Sequence, residues 1–412
     1  MGRSVKVIGA ASLGAGLIAA GLIGAGLTGA RLVVAGPLNP PAGSVASSYK
    51  TLNEVEPRIA INATNTPGDA DSLFKITQSG SYYLTGNVIG VADKHGIEIA
   101  ASGVTLDLNG FEVVGLLGGG SLDGIRVSVD GLSNIAVRNG TIRNWGDWGL
   151  DFGNILAGGC LIEHVRASGC MSGGLAIGPG SRVSHCTANG NGEYGISVSF
   201  GTTMTHCSAA SNTGIGLNTD VGCTVVQCTS TGNVGAGIST ACCSTVTQCT
   251  AYGNSGYGII VGSRSNVIGS TASSNTSGGI YVSSGSTVLD SVASLNGSHG
   301  VSVGDSGCTV RGNTCSQNGN NGADQSAAGI WVFGTGSRIE GNNTAKNGRG
   351  IHVVNTSNII VRNTSSANTA ANWSVVAGNV CVVVQATAGG LINGNAGGTS
   401  PGSADPSANY TY

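Results

Sequence analysis

Three consecutive stretches, GISVSFGTTMTHCSAASNTGI (195–215), GLNTDVGCTVVQCTSTGNVGA (216–236) and GISTACCSTVTQCTAYGNSGY (237–257), align without a gap, and that alignment decides the fold. Each opens on Gly followed by Ile or Leu. The same anchor recurs every 21 residues from Gly174-Leu175 to Gly279-Ile280, and Gly300-Val301 opens the next unit. Other columns keep the period: Val183, Met204, Val225 and Val246; Ala188, Ala209, Ser230 and Ala251; Asn191, Asn212, Asn233 and Asn254. After the anchor the chain alternates, as in Ile196-Ser197-Val198, which turns Ile196 and Val198 inward and Ser197 outward. Such a repeat is the signature of a solenoid, in which each coil buries its inner face against the next.

Working outward, earlier anchors at Gly96, Gly124 and Gly149 and later ones at Gly329 and Gly350 extend the repeat. They predict about twelve coils. The irregular spacings (28, 25 and 25 from Gly96 to Gly174, and 29 from Gly300 to Gly329) read as 21 plus insertions. Insertions in a solenoid become loops on one face, frequently the binding face. Three fall between residues 111 and 173 and one near Asn318 to Ala328. Upstream, Phe74-Lys75-Ile76-Thr77, Tyr82-Tyr83-Leu84, Gly96-Ile97-Glu98-Ile99 and Val104 to Asn109 all alternate as strands.

With those strands quoted, GIEIAASGVTLDLNG (96–110) followed by the Gly-Ile/Leu units resembles the right-handed parallel β-helix proteins of the pectin-lyase-like superfamily, in particular an uncharacterised exported bacterial group. The resemblance covers residues 70 to 395. It implies an all-β, right-handed single-stranded parallel β-helix. It is nearly silent on activity, because this fold carries lyases, hydrolases, epimerases, adhesins and ice binders alike. Its known catalytic patterns are thin here. Asn218-Thr219-Asp220 matches the first polygalacturonase motif, yet the next coil, Ser239-Thr240-Ala241-Cys242, lacks the paired aspartates. The Gly-His-Gly is only Gly297-Ser298-His299-Gly300 and lies in the wrong coil, and the Arg-x-Lys is missing. The Asp-Pro-His-Glu of alginate epimerases does not occur, and no calcium-binding aspartates of the pectate lyase kind are evident.

Composition narrows the classes further. Gly is 72 of 412 residues without a collagen period, 9% of residues are charged and 4% aromatic, and aliphatic residues remain plentiful, which argues against disorder. A net charge of −2 gives no electrostatic case for nucleic acid. Arg3 and Lys6 precede a long apolar run that ends in small residues with Val33-x-Ala35, an export signal or, if uncleaved, a membrane anchor. The expected layout is therefore a signal peptide or anchor over 1–36, a Pro/Gly linker and N-terminal cap over 37–70 (with a capping box at Thr51 to Glu54), the β-helix over 71–395, and a C-terminal tail over 396–412. That layout implies a secreted, periplasmic or cell-surface protein, touching a membrane only through its N-terminal segment.

The columns also sort candidate sites from packing. The Asn column reads as a turn ladder, since Asn tolerates left-handed turns and hydrogen-bonds its stacked neighbours. Cys186, Cys207, Cys228 and Cys249 share a slot with Val165, Ser270 and Ser291, which marks an inward ladder of small side chains, with disulfides or a soft metal as the sharper reading. His164, His185 and His206 precede that column and give way to Gln227 and Gln248, a polar edge more than a chelate. No metal site and no cofactor are predicted.

The outward position after each anchor pair reads Glu98, Arg126, Asp151, Ala176, Ser197, Asn218, Ser239, Ile260, Tyr281, Ser302, Trp331, His352. At one end Glu98, Arg126, Asp147 and Asp151 are the catalytic candidates, with Arg143, Trp145 and Trp148 beside them and Glu163 and Arg166 a turn away. Paired carboxylates run acid/base hydrolysis, and Arg beside them stabilises a uronate; the competing reading is a neutralising ion-pair stack. Trp145, Trp148, Tyr281, Trp331 and His352 are the ligand-binding candidates, flat rings suited to sugar stacking. A Thr column (Thr203, Thr224, Thr245, Thr287) flanked by Thr205 and Thr247 suggests, as a minor reading, ice or crystal surfaces. Taken together, the residues point to an exported β-helix that binds an extended polymer, a polysaccharide or cell-surface glycan, on its outer face without catalysis. The alternative is a polysaccharide lyase, hydrolase or epimerase acting on uronate glycans.

Overall fold

The computed structural model describes residues 56–116, 120–153, 157–385, 392–394 and 405–411. The predicted export segment (1–36), the predicted linker and cap up to residue 55 with its capping box, and residues 396–404 and 412 of the predicted tail lie outside the described residues.

Across the described residues the chain winds as a parallel β-solenoid. A regular coil has three short strands, such as Tyr194–Val198, Thr203–Thr205 and Ser208–Ala210. Every strand pairs in parallel with its counterpart one coil on: Ile196 faces Leu217, Leu217 faces Ile238, and Ile238 faces Ile259. The anchor strands stack into one sheet of fifteen, from Ser72–Ile76 to Ile392–Gly394, and the other two strands of each coil form a continuous flank sheet. Fifteen exceeds the dozen read from anchors, for a simple reason. In two of the extra coils the register places Leu73 and Asn372 opposite Gly96 and Gly350, so no glycine marks them.

The anchor glycine is a steric requirement. A Cβ on Gly195 would stand 2.4 Å from the Gly216 carbonyl oxygen and 2.8 Å from Ala209 Cβ. The residues beside it do the packing: Ile196, Leu217, Ile238, Ile259, Ile280 and Val301 are fully buried. Burying such a side chain stabilises by roughly 1.5–3 kcal/mol, and the gain repeats at every coil.

Each coil turns through corners built alike: one residue in the left-handed region, then a small polar residue aimed inward. The Asn column works this way, but the left-handed residue is the one before it, Gly190 (φ 64), Ser211 (φ 54) or Gly232 (φ 63), and not the Asn itself as expected. The Asn carboxamide instead receives the main chain of the coil before: Asn191 and Asn212 each donate a backbone N–H to the next Asn Oδ1 at 3.0 Å. The Cys column makes the same bond with other atoms. Cys207 N–H donates to Cys228 Sγ (3.4 Å), Cys249 N–H to Ser270 Oγ (3.1 Å) and Ser291 N–H to Asn313 Oδ1 (2.9 Å). Its left-handed corner residues are His164, His185, His206, Gln227 and Gln248, with φ between 53 and 55. The imidazoles lie outside as a stack, 4.9 Å apart and within 6° of parallel. Among the described residues no group of His, Cys, Asp and Glu is arranged to hold a metal ion.

The last described segment is no loose tail. Asn409–Thr411 is a strand paired with Thr364–Ser366 and with Val383–Gln385, and Asn409 Oδ1 accepts the Asn363 N–H at 2.9 Å, so it finishes a ladder that would otherwise end on an unpaired donor.

Candidate functional site

The register of the anchor sheet confirms one outward column: Lys75, Glu98, Arg126, Asp151, Ala176, Ser197, Asn218 and on through Tyr281, Ser302, Trp331 and His352. Three residues earlier in each coil, just before the anchor, runs a second column that the sequence reading passed over. It contains Ser72, His95, Asp123, Trp148, Gly173 and Tyr194, and later Tyr257, His299 and Arg349. Reading the residue before each anchor glycine as well as the one after the pair would have found it.

At the charged end the groups are spent on one another. Glu98, 4% exposed, sits 2.6 Å from Lys75 Nζ and accepts a 2.7 Å hydrogen bond from Ser72 Oγ. Burial works against its ionisation, yet Lys75 and Ser72 hold its carboxyl below the ordinary Glu range. Arg126 Nη1 meets His95 Nε2 at 2.8 Å, while His95 Nδ1 lies 3.3 Å from the Asp123 carboxylate. The Asp123 backbone N–H also donates to His95 Nδ1 at 2.9 Å, so both ring nitrogens face N–H donors. Asp151 follows Arg126 in register and accepts the Gly153 N–H at 3.0 Å; Asp147 stands at the corner leading into the Trp148 strand.

Several expected members do not share this surface. Trp145 points into the coil: it is 2% exposed and its indole N–H donates to the Val113 carbonyl at 3.1 Å, so its ring offers no stacking face to a ligand. Arg143, Glu163 and Arg166 belong to the flank sheet, where Arg143 pairs with Glu112 at 3.0 Å.

Next to the charged end, the outward side chains shrink to Ala176, Ser197 and Asn218, and the surface hollows into a groove of about 320 Å³. Trp148 forms one wall and Asp220 closes the other side. The Trp148 ring lies parallel to Tyr194 within 6°, centroids 6.1 Å apart, across Gly173, which has no side chain to obstruct it. Asn218 Nδ2 donates to Ser197 Oγ at 3.2 Å, leaving hydroxyl, amide and carboxylate along the floor. The groove thus lies where the regular coils meet the charged ones.

At the far end the expected Tyr281, Trp331 and His352 do gather, half-buried, with company from the second column. His299 stacks on Trp331 at 5.1 Å and 5°, Phe333 leans on Trp331, and Tyr257 meets Tyr281 edge-on. His299 Nδ1 accepts the Ala328 N–H (2.9 Å) and Arg349 Nη1 lies 3.0 Å from His352 Nδ1. Burial, then Arg349 and His299, push His352 down to about 4; burial also lowers His299, with Asp324 opposing and Arg349 assisting. Both rings are therefore neutral near pH 7. The Thr column on the flank sheet runs Thr203, Thr224, Thr245 in register and is interrupted by Asn266 before Thr287.

The comparisons with known proteins agree on architecture. The family model described as right handed beta helix region matches residues 157–272 and 262–399, more than half of the chain. Among solved structures, a double mutant of the tailspike protein of E. coli bacteriophage HK620 superposes with a TM-score of 0.52 at 10% identity, covering 87% of this chain and 78% of that one. The A-module of Azotobacter vinelandii mannuronan C-5 epimerase AlgE4 gives a TM-score of 0.49 at 17% identity, covering 69% of this chain and 86% of that one. No curated protein matches the sequence.

Proposed function

This chain belongs to the right-handed β-helix family, and for this member of it we propose an exported protein that binds an extended polysaccharide along the outward face of its fifteen-strand sheet, without turning it over. The observation that carries the reading is the groove at Trp148, Ala176, Ser197, Asn218 and Asp220. An aromatic wall above a floor of hydroxyl, amide and carboxylate is the surface a sugar ring needs: an apolar face for its C–H groups and donors and acceptors for its hydroxyls. The rings at Tyr281, Trp331 and His352 lie farther along the same column, so a long chain following the helix axis meets both patches. In support of binding over turnover, Glu98 and Arg126 are each committed to partners within the protein.

A second reading, a lyase, hydrolase or epimerase on uronate glycans, is favoured by one arrangement: Asp220 lines the groove and Asp151 sits one coil from Ala176. A glycan array followed by calorimetry with the retained oligosaccharides tests binding, and incubation with polygalacturonate, alginate and neutral glucans tests turnover. Retention without new reducing ends, unsaturated products or epimerised residues is the expected result. Product formation that disappears in Asp151→Ala would replace the binding reading with the catalytic one, and no retention of any glycan would remove both.

A further inference from the structure

Twelve cysteines are free in the structure, and ten of them are buried. Those ten are spent on the ladders and the core. Cys207, Cys228 and Cys249, for example, each place the thiol 3.3 Å from a carbonyl oxygen of their own coil. Hydrogen bonding along the Cys207–Cys228–Cys249 stack, together with burial, pushes the Cys228 thiol up to about 12, and burial pushes Cys170 up to about 11, so neither offers thiolate at neutral pH. Only Cys242 and Cys243 reach solvent, and they are adjacent in the chain.

Their corner is unusual in its own column. Cys243 has φ 62, where the coils on either side carry Gly201 (φ 67), Gly222 (φ 69), Arg264 (φ 58) and Gly285 (φ 65). A corner that glycine serves elsewhere holds a cysteine that packs against nothing in the core. Main-chain bonds hold it from both neighbours: Gly222 N–H donates to the Cys242 carbonyl at 3.0 Å, and Cys243 N–H to the Ser263 carbonyl at 2.9 Å. Side-chain hydrogen bonding with Cys243 raises the Cys242 thiol, and the Arg264 guanidinium from the next coil opposes that rise.

We propose that Cys242 and Cys243 form a reversible redox site, closed to a vicinal disulfide by exchange with a small-molecule or protein disulfide. One thiolate attacks the external disulfide and expels one thiol, leaving a mixed disulfide. The neighbouring thiolate then attacks the protein-side sulfur and expels the second. The protein loses two hydrogens, and the external disulfide takes up the electron pair and both protons as two thiols. Adjacent Cα atoms stand about 3.8 Å apart, below the usual disulfide range of about 4.4–6.8 Å. The ring is therefore strained and easily reduced, which makes it a switch and not a staple.

The test uses the full chain in its native state. Before oxidation, alkylation should label two thiols per chain, both on the peptide spanning Cys242 and Cys243. After treatment with oxidised glutathione it should label none, with a mass loss of two hydrogens on that peptide, reversed by dithiothreitol. Cys243→Ser should instead retain a glutathione adduct on Cys242, and Cys243→Gly, matching the neighbouring corners, provides the same readout should the serine variant fold poorly. A wild-type chain that keeps glutathione, forms a covalent dimer through this corner, or leaves both thiols alkylatable would overturn the proposal.

Discussion

The Glu98 carboxylate lies 2.6 Å from the Lys75 ammonium, one coil apart in the same outward column. Removing Glu98 leaves Lys75 paired with Asp69 at 2.8 Å, whereas removing Lys75 strands the buried Glu98 carboxylate without its ammonium partner. Because Glu98 is almost wholly buried, Lys75→Ala is expected to destabilise the first coils by on the order of 3 kcal/mol, the scale for stranding a buried charge. The pH sign follows from the lowered carboxyl of Glu98. A depressed folded-state value stabilises above the unfolded Glu value of about 4.3 and is lost as pH falls through the folded one. Thermal melts from neutral to acid pH should therefore fall more steeply in the wild type than in Glu98→Gln, and parallel curves would refute the pairing.

Groove occupancy makes a sharper distinction. Trp148→Ala removes the wall, and Ala176→Phe fills the hollow without touching a polar group. Each is expected to weaken oligosaccharide binding at least about tenfold, as loss of an aromatic anchor does. Glu98→Gln should leave affinity unchanged, since Glu98 points to Lys75 and Ser72. Calorimetry on the three variants decides, and equal affinity for Trp148→Ala and the wild type would move the ligand elsewhere.

At the far end, His352 is held at about 4 while an unfolded histidine titrates near 6.5. Between those values the unfolded chain binds more protons, so stability rises with pH across that window and is at its full value above it. Half-exposure limits the size to about 1 kcal/mol after solvent screening. Titration of the His352 ring protons by NMR should give a midpoint near 4, rising in Arg349→Gln as a nearby cation is lost.

Much of this was legible in the chain, and the gaps have physical causes. Gly195, Gly216 and Gly237 announce the coil because a steric limit at one position recurs every 21 residues. The coils at Leu73 and Asn372 were invisible because the anchor position there is not glycine. Glu98, Arg126 and Asp151 were placed in one column correctly, whereas their partners His95 and Asp123 sit in the column before the anchor, whose spacing carries no alternation of its own. The groove escaped notice for another reason. Ala176, Ser197 and Asn218 are unremarkable singly, and a hollow is a property of small side chains beside a large one. Trp145 was misplaced because its inward turn depends on the Val113 carbonyl of an inserted coil. Asn409 meets Asn363 across 46 residues, beyond the reach of any local pattern.

The cysteine ladder gives the last prediction. Cys228 accepts the Cys207 N–H through sulfur, in a column that serine and asparagine occupy a few coils later with shorter bonds to the same kind of donor. What the position requires from Cys228 onward is then a small acceptor, not a thiol. Cys228→Ser keeps an acceptor and is expected to stay within about 1 kcal/mol of the wild type, whereas Cys228→Val matches the volume and strands a buried N–H. Leaving such a donor unpaired costs roughly 1–3 kcal/mol. Hydrogen exchange should reveal where the loss falls: the Cys207 amide should lose protection in the valine variant, with distant coils such as that of Val310 unchanged, because a solenoid couples each coil chiefly to its neighbours. A serine variant as damaged as the valine one would mean that the sulfur's packing, and not its acceptor role, holds the column.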